Sequence, residues 1–533
     1  MAIDLFCGDH KKRLPTIRIQ KIVLDNFKSI RHGEVLMDCG KRPAPAGESS
    51  DILGIYGQNG SGKTSVIEAF AILKQLVSGG ELHPYYSECI AIGSEFSRLE
   101  FTFDLQYPDG KQRKVVYSFE MKALVDSAEE EIESPDQELE EGFDSVFKAM
   151  LPNGSVAVVN EKILMSGPFE GKGMKLQAVI DTSPAEVDVP FIPLSKRRFF
   201  LGNEDSSTIM ELAMNKRSCE ENSRSFIFSS KTRVAMRKSW PDVSVAPSDY
   251  YEVLVELYWF ASRRLFVIGG KTPYSVPLSR FLPLYSSDIS AHRYDPFANA
   301  FFSDADEREA LDAYNREMQA SGAPSLLPTE APFPLPVSHF EAYQSQLETI
   351  NMVVSELIPG MSVALKEIAP MVGPDGSESV LAQLVSSRDG VEMPFGHESE
   401  GVQRIVSSLM YLIRAFNQKS TTVAIDEFDA GIFEYLLGEI LEAIQSGGVG
   451  QFIFTSHNLR PLEVLNKRFI CFTTTNPDNR FARLKNVGAS NNLRNVYFRE
   501  IVMGEQDEEF YRYTQQAKIE SAFRRAGGSG GAA

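Results

Sequence analysis

An α/β fold, with a parallel sheet and flanking helices, follows from three features of this sequence. Near the N-terminus a short apolar run, DILGIY (51–56), ends in a glycine-rich loop that opens a helical pattern from Lys63 to about Val77. In the last third, TTVAID, GIFEYLLGEILEAIQ, QFIFTS, LRPLEVLN and FICFTT alternate strand and helix patterns. Strands separated by helices pair in parallel, because the crossover returns each one beside its predecessor. Between these two parts lies a stretch far too long for a loop, so an insertion splits the α/β unit.

Taken in order, IRIQKIVLDNFKSI (17–30) alternates and is rich in Ile and Val, which predicts a strand. RLEFTFDLQYP and KQRKVVYSFEMKA follow, joined by Asp109-Gly110, a hairpin signal that adds a mixed-sheet lobe. Residues 126–144 carry ten Asp or Glu and no Lys or Arg, the composition of a solvated insert. From 194 to about 265 the pattern is helical, and over 194–239 ten basic residues stand against five acidic ones. That excess makes 194–239 a candidate nucleic-acid surface or a site for an acidic partner, with solvated helical faces as the plainer alternative. PSLLPTEAPFPLP (324–336) reads as a linker into a helix, then strands at 362–367 and 379–387. The expected boundaries are 1–123 and 337–487 for two halves of one head, around an acidic insert (124–150) and a mainly helical arm (151–336). A helical extension (488–526) and a GGSGGAA linker (527–533) complete the chain.

With 533 residues the chain has room for two or three domains. Its net charge of −18 argues against coating nucleic acid indiscriminately, since phosphate neutralisation needs clustered Lys and Arg. Five scattered cysteines show no metal-type spacing and suit a reducing, cytoplasmic setting. The N-terminus lacks the order of a signal peptide. VLVELYWFASRRLFVIGG (253–270), the most apolar stretch, is broken by Glu256 and Arg263-Arg264, so no membrane span is expected.

Two motifs carry the chemistry. GQNGSGKT (57–64) follows an apolar strand and opens a helix, the context in which such a loop binds phosphates. Glycines 57, 60 and 62 let backbone amides turn inward, so Gly57, Gln58, Asn59, Gly60, Ser61, Gly62 and Ser65 form the cradle. Lys63 reaches the outer phosphates and Thr64 offers a hydroxyl to Mg²⁺. TTVAIDE (421–427) is an apolar strand ending in two carboxylates. Asp426 would hold Mg²⁺ through water, and Glu427 would polarise a water for attack on the γ-phosphate of ATP.

Lys63 and Asp426 are 363 residues apart. Ring-forming AAA+ ATPases and small GTPases place the acidic strand within about 50–100 residues, by fold-level analogy. A guanine-reading NKxD is missing too, because Asn466-Lys467 is followed by Arg468-Phe469. The split arrangement resembles the ATP-binding-cassette (ABC) ATPases of the SMC, RecN and RecF kind. The resemblance implies an ABC-type P-loop ATPase head, a mixed-sheet lobe plus a parallel sheet with flanking helices, split by a mostly helical insertion. In that superfamily a Ser-x-Gly signature at a helix N-terminus touches the γ-phosphate held by a second subunit. Ser399 and Gly401 of GHESEGVQRIV match that position, although His397-Glu398 and Glu400 depart from the usual pattern. An ordinary serine N-cap is the plainer reading of Ser399. The resemblance further implies that His457, ending FTSH, senses the γ-phosphate. It also implies that Asn26, Phe27 and Lys28 of NFKSI pack beside the adenine. Asp429-Ala430-Gly431 would face the partner subunit, with a merely structural turn as the alternative, and no glutamine is assigned to the lid loop.

These motifs together resemble ATPases related to the overcoming-lysogenization-defect proteins of bacterial anti-phage systems, such as the ATPase subunits of Septu, retron-linked Septu-like systems and PARIS. The resemblance covers roughly 17–120 and 340–500. It implies a homodimer or higher homo-oligomer through the heads, ATP and Mg²⁺ as cofactors, and a sensor or scaffold role for an effector. Overcoming-lysogenization-defect nucleases carry a C-terminal toprim domain, for which too few residues follow His457. Any nuclease is therefore expected as a separate chain, of HNH type in the Septu-like case. The alternatives are a DNA-repair or DNA-maintenance ATPase acting directly on DNA, and a nucleotide-gated scaffold that does not hydrolyse ATP.

Overall fold

The computed structural model describes residues 15–37, 51–125, 154–167, 175–184, 189–202, 204–240, 248–269, 281–284, 325–372, 378–484, 492–503, 508–512 and 514–528. The acidic run, residues 285–324 and the final SGGAA residues 529–533 lie outside these. Along the chain, β1 (Thr16–Phe27), β2 (Ile30–Leu36) and β3 (Asp51–Tyr56) lead into α1 (Lys63–Val77). The hairpin β4 (Phe96–Gln106) and β5 (Gln112–Val125) is followed by β6 (Gly154–Met165) and β7 (Gln177–Asp181). Helices α2 (Ser206–Glu221), α3 (Ser230–Lys238) and α4 (Asp249–Arg263) precede β8 (Leu265–Ile268). After β9 (Phe281–Leu284), β10 (Ser325–Pro328) and β11 (Phe333–Pro336) come α5 (Val337–Leu357), β12 (Met361–Val372), β13 (Glu378–Arg388) and β14 (Val391–Pro394). The last third holds α6 (Glu400–Asn417), β15 (Thr422–Ile425), α7 (Glu434–Gly447), β16 (Gln451–Thr455), β17 (Ile470–Thr473), β18 (Phe481–Ala482), α8 (Leu493–Met503) and α9 (Gln516–Gly528).

The central sheet runs β18-β17-β3-β16-β15-β8 and is parallel except at β17–β18. A second sheet, β2-β1-β4-β5-β6-β7, is antiparallel throughout. A smaller sheet orders β11-β13-β12, with β14 on β13. The fold class expected from the sequence is therefore present: a mixed α/β head with one parallel and one antiparallel sheet and helical insertions.

The strand side chains explain why the layers hold together. Successive residues of a strand point to opposite faces. In β3, Leu53 and Ile55 join the core shared with the antiparallel sheet and α1, while Ile52 and Tyr56 join the core under α5, α6 and the smaller sheet. β15 and β16 divide likewise, Ala424 and Ile453 to one side, Val423, Ile425, Phe452 and Phe454 to the other. Both faces are covered, which is why these strands read as continuous apolar runs.

The 151–336 segment departs from the helical arm expected of it. β6 pairs with β5 and β7 with β6, so the antiparallel sheet continues past the acidic insert. β8 then joins the parallel sheet beside β15. VAVVNEKILM has the β-branched content to pair with an open strand edge, and that edge is invisible in the local sequence. The proline-rich stretch is likewise partly strand: Pro334 and Pro336 sit in β11, at the sheet edge where a missing N–H is tolerated.

Helices α2–α4 are fastened to the head through buried polar groups. Glu161 of β6, 1% exposed, accepts hydrogen bonds from Tyr117 Oη (2.7 Å), Ser225 Oγ (2.5 Å) and the Phe226 N–H (2.7 Å). Tyr107, at the β4–β5 turn, donates its hydroxyl to Glu256 of α4 at 2.9 Å. Burial pushes the Glu256 carboxyl up to about 8, more than the Tyr107 bond restores. With the folded-state value raised, this group's stabilising contribution is present in acid and is lost as pH rises through about 8. Glu256→Gln accordingly raises the melting temperature by a few degrees in alkali and far less near about pH 5, as calorimetry at both ends would show.

Candidate functional site

The loop after β3 is shaped by what its glycines permit. Gly57, Gly60 and Gly62 all have positive φ (155°, 76° and 97°). A Cβ on Gly57 would lie 1.7 Å from Thr473 Oγ1, so only glycine fits beside β17. Gly62 caps α1, whose first turn holds no acidic residue, leaving its N–H groups free of a competing carboxylate. Ser61 Oγ is tied to Thr473 Oγ1 (2.5 Å), and Arg512 N–H donates to Gln58 Oε1 (3.2 Å). The second contact comes from a C-terminal segment anchored by Phe510, which is 4% exposed and packs on Phe472.

This loop and the ends of β15 and β16 enclose a cleft of about 180 Å³. Asn59, Gly60, Lys63 and Thr64 line one side; Asp426, Glu427, Thr455 and His457 line the other. Thr64 Oγ1 donates to Asp426 Oδ1 at 3.3 Å, and Thr455 Oγ1 donates to the same oxygen at 2.5 Å. Thr455 Oγ1 in turn accepts the Glu427 N–H at 2.7 Å. Asp426 is backed by β8: its N–H donates to the Ile268 carbonyl, and a Cβ on Gly269 would lie 2.9 Å from its own Cβ. Glu427 itself is exposed, with φ of 48°, a left-handed conformation rare for a residue with a side chain. Such strain persists only where surroundings enforce it, and it concentrates at functional sites.

Lys63 Nζ donates to the carbonyls of Gly57 (2.9 Å) and Gln58 (3.1 Å). Burial lowers its pKa, opposed by the charges of Asp426, Glu427 and Asp429. A partly desolvated ammonium in a glycine-lined cradle suits an anionic ligand, whose charge would favour the protonated amine. The hydroxyl of Thr64 and the carboxylate of Asp426 are hard oxygen donors that already touch, a set that fits Mg²⁺.

Asp429 continues the loop. Its Oδ2 accepts the His457 N–H (3.0 Å) and the Asn458 N–H (2.7 Å), which fixes the backbone carrying the His457 ring at the cleft. Ser399 and Gly401 stand apart from the cleft lining. Ser399 Oγ caps α6 by accepting the Val402 N–H at 3.4 Å, and both Ser399 and Glu400 are exposed. Glu398 is turned inward, bound by Arg388 Nη2 (3.0 Å) and Ser386 Oγ (2.9 Å). Gly401 is buried, and a Cβ there would lie 1.9 Å from the Gly431 carbonyl oxygen. The glycine at 401 is thus required by close backbone packing within the chain. Gly401→Ala should cost about 1–3 kcal/mol or pry α6 from the 427–431 loop; a thermal melt unchanged from wild type would refute this.

The NFKSI turn packs against the loop through Ile30. Ile30 reaches Gly62, with the nearest atom 3.2 Å from its would-be Cβ, and Arg480 Nη2 donates to the Ser29 carbonyl (2.7 Å). Asn26 takes a left-handed φ of 52° and Phe27 is fully buried. Lys28 Nζ is 2.5 Å from Glu68 of α1 and donates to Tyr85 Oη at 3.0 Å. Burial would lower the Lys28 pKa, but Glu68 and neighbouring groups hold it above the ordinary lysine value. These residues lash the antiparallel lobe to α1.

The basic 194–239 segment spends much of its charge internally. Arg197, Arg233 and Arg237 are each under 10% exposed. Arg197 Nε donates to the Phe191 carbonyl, Arg233 lies 3.6 Å from the Tyr258 ring centroid, and Lys216 donates to the Thr182 and Pro184 carbonyls. Guanidinium stacking on aromatic faces occupies Arg197 and Arg233, while Arg198, Arg217, Arg224, Lys231 and Lys238 stay exposed. The site residues that sequence reasoning left out are Thr455, Arg404 and Gly269, each defined by a neighbour distant in the chain.

Residues 21–148 match a family model described as "AAA domain", and residues 273–463 match another described as "AAA domain, putative AbiEii toxin, Type IV TA system". The glycine-rich loop lies in the first, and Ser399, the acidic strand and His457 lie in the second. No curated protein matches this chain. Among solved structures, the chain is similar to the Smc head domain with a coiled coil and joint from Pyrococcus yayanosii (12% identity, 88% of this chain and 97% of that one, TM-score 0.37). It is also similar to the SMC head domain from Thermotoga maritima (12%, 88% and 99%, TM-score 0.32) and to the recombination mediator protein RecF (11%, 89% and 100%, TM-score 0.33). Among the described residues no helix is long and apolar enough to cross a membrane.

Proposed function

We propose that this chain is an ABC-type ATPase that closes on a second copy around ATP and serves as sensor or scaffold for a separate effector, a nuclease, in bacterial anti-phage defence. The observation that carries the ATPase reading is the hydrogen-bonded group Thr64–Asp426–Thr455, which joins the glycine-rich loop to the acidic strand across more than 360 residues. Two AAA-domain matches, one over the glycine-rich loop and one over the acidic strand, support it. The second model's description names a putative toxin of a type IV TA system, a wording that agrees with a defensive role without ranking it above a DNA-maintenance one.

In this reading the amides of Gly57–Gly62 and Lys63 hold the phosphates. Thr64 and, through water, Asp426 would hold Mg²⁺, which would supply charge neutralisation at the terminal phosphates. Glu427 accepts a proton from the attacking water, and the His457 ring meets the γ-phosphate. Ser399, Gly401 and the N–H groups at the start of α6 serve the ATP of the opposite head, a role supported by the exposure of Ser399 and Glu400 outside their own cleft.

The test is the mass of the purified chain by light scattering with and without ATP and Mg²⁺. A shift from one copy to two, lost on substituting Ser399, supports the sandwich; ATP turnover by a single copy overturns it. The rival, an ATPase acting directly on DNA, predicts ATP-dependent retention of DNA, which a gel-shift assay reads.

A further inference from the structure

We propose that Arg404 is a positioning residue that holds Glu427 for attack and ties its placement to the N-terminus of α6; the inference rests on the ATPase reading above. Arg404 lies five residues after Ser399 on the same helix. Its Nη2 donates to the Glu427 carbonyl oxygen at 2.8 Å. Among the described residues its Nε is buried with no hydrogen-bond partner, so part of the guanidinium gives up solvent where Nη2 makes its bond.

Glu427 needs such a hold. Its φ of 48° is unfavourable for a glutamate, and an exposed loop would relax it. Two groups enforce it from opposite sides: Thr455 Oγ1 on the N–H and Arg404 on the carbonyl. Thr455 belongs to the strand beside β15, whereas Arg404 belongs to the helix that begins at Ser399. The same helix start is pressed on the other end of this loop, where Gly401 meets the Gly431 carbonyl. The loop bearing Glu427 and Asp429 is therefore clasped at both ends by α6. A force on the first turn of α6, such as a ligand bound at Ser399, reaches the catalytic carboxylate through Arg404 and the sensor backbone through Asp429. Arg404 touches no reacting atom in this scheme; it acts through the backbone of its neighbour.

The test uses the full chain with Arg404→Ala and Arg404→Lys. It measures kcat, ATP affinity, and amide hydrogen exchange over 426–431 without nucleotide. Arg404→Ala is expected to lower kcat by about 10- to 100-fold with ATP affinity changed less than about twofold, because a misplaced base loses rate rather than binding. Exchange over 427–431 should quicken severalfold, and Arg404→Lys, which still donates one bond, should recover part of both losses. Unchanged exchange in Arg404→Ala overturns the tether. Wild-type kcat, or a loss of affinity in proportion to kcat, overturns the positioning role. If the wild-type chain turns over no ATP, the ATPase reading and the positioning role fail together, while the exchange result still decides the tether.

Discussion

Lys63→Ala abolishes nucleotide binding, weakening ATP affinity by at least about 100-fold, while leaving the nucleotide-free fold intact. The two halves of this expectation have different causes. Lys63 Nζ satisfies the Gly57 and Gln58 carbonyls, but burial opposes its charge, so losing it removes a desolvated ammonium along with two bonds. Stability without nucleotide should therefore hardly move. With nucleotide the balance reverses, because the phosphates lose their buried counter-charge. A thermal-shift titration reads both halves in one experiment. Wild type at a hundred times its dissociation constant gains about 2.7 kcal/mol, and Lys63→Ala at the same ATP concentration gains almost nothing. Retained stabilisation by ATP would remove Lys63 from the phosphate site.

Glu427→Gln should cut steady-state turnover by about 10²- to 10⁴-fold, the range for losing a general base, with ATP affinity preserved. The amide keeps the side chain's size, and the backbone grips from Thr455 and Arg404 are unaffected by it. ATP should consequently persist and the two-copy form accumulate, which light scattering with ATP and Mg²⁺ detects. Turnover equal to wild type would strip Glu427 of its role. Asp426 is a different case: its carboxylate accepts two hydroxyl bonds inside the cleft, so Asp426→Asn disturbs the metal donor set as well as rate.

What could be read in advance divides along physical lines. The glycine-rich loop was legible because each demand on it is local: positive φ, a helix start, a lysine at fixed spacing. The acidic strand gained meaning only from being paired with that loop. β6 and β7 escaped notice because joining a sheet depends on a free edge elsewhere, and composition does not reveal which basic residues of 194–239 are buried, as Arg197 and Arg233 are against aromatic rings and carbonyls. Gly401 shows the subtler limit. A glycine two residues after a capping serine invites a ligand role, whereas its geometry answers first to the Gly431 carbonyl. Arg404 stands outside every motif and Thr455 lies in FTSH with nothing there to signal its contacts; their partners are 23 and 28–29 residues away in the chain.

The doubly shared central sheet has a consequence for biogenesis. β3 pairs with β16 in the register Asp51 to Gln451, so its hydrogen-bonding neighbour is 400 residues later in translation. At about 5–20 residues per second, the nascent N-terminal strand waits tens of seconds with both edges unpaired, since its neighbours are β16 and β17. During that interval the glycine-rich loop has no β17 to brace it and no Asp426 to meet. The ribosome-bound intermediate is thus the state in which this protein is most exposed to aggregation and most in need of a chaperone.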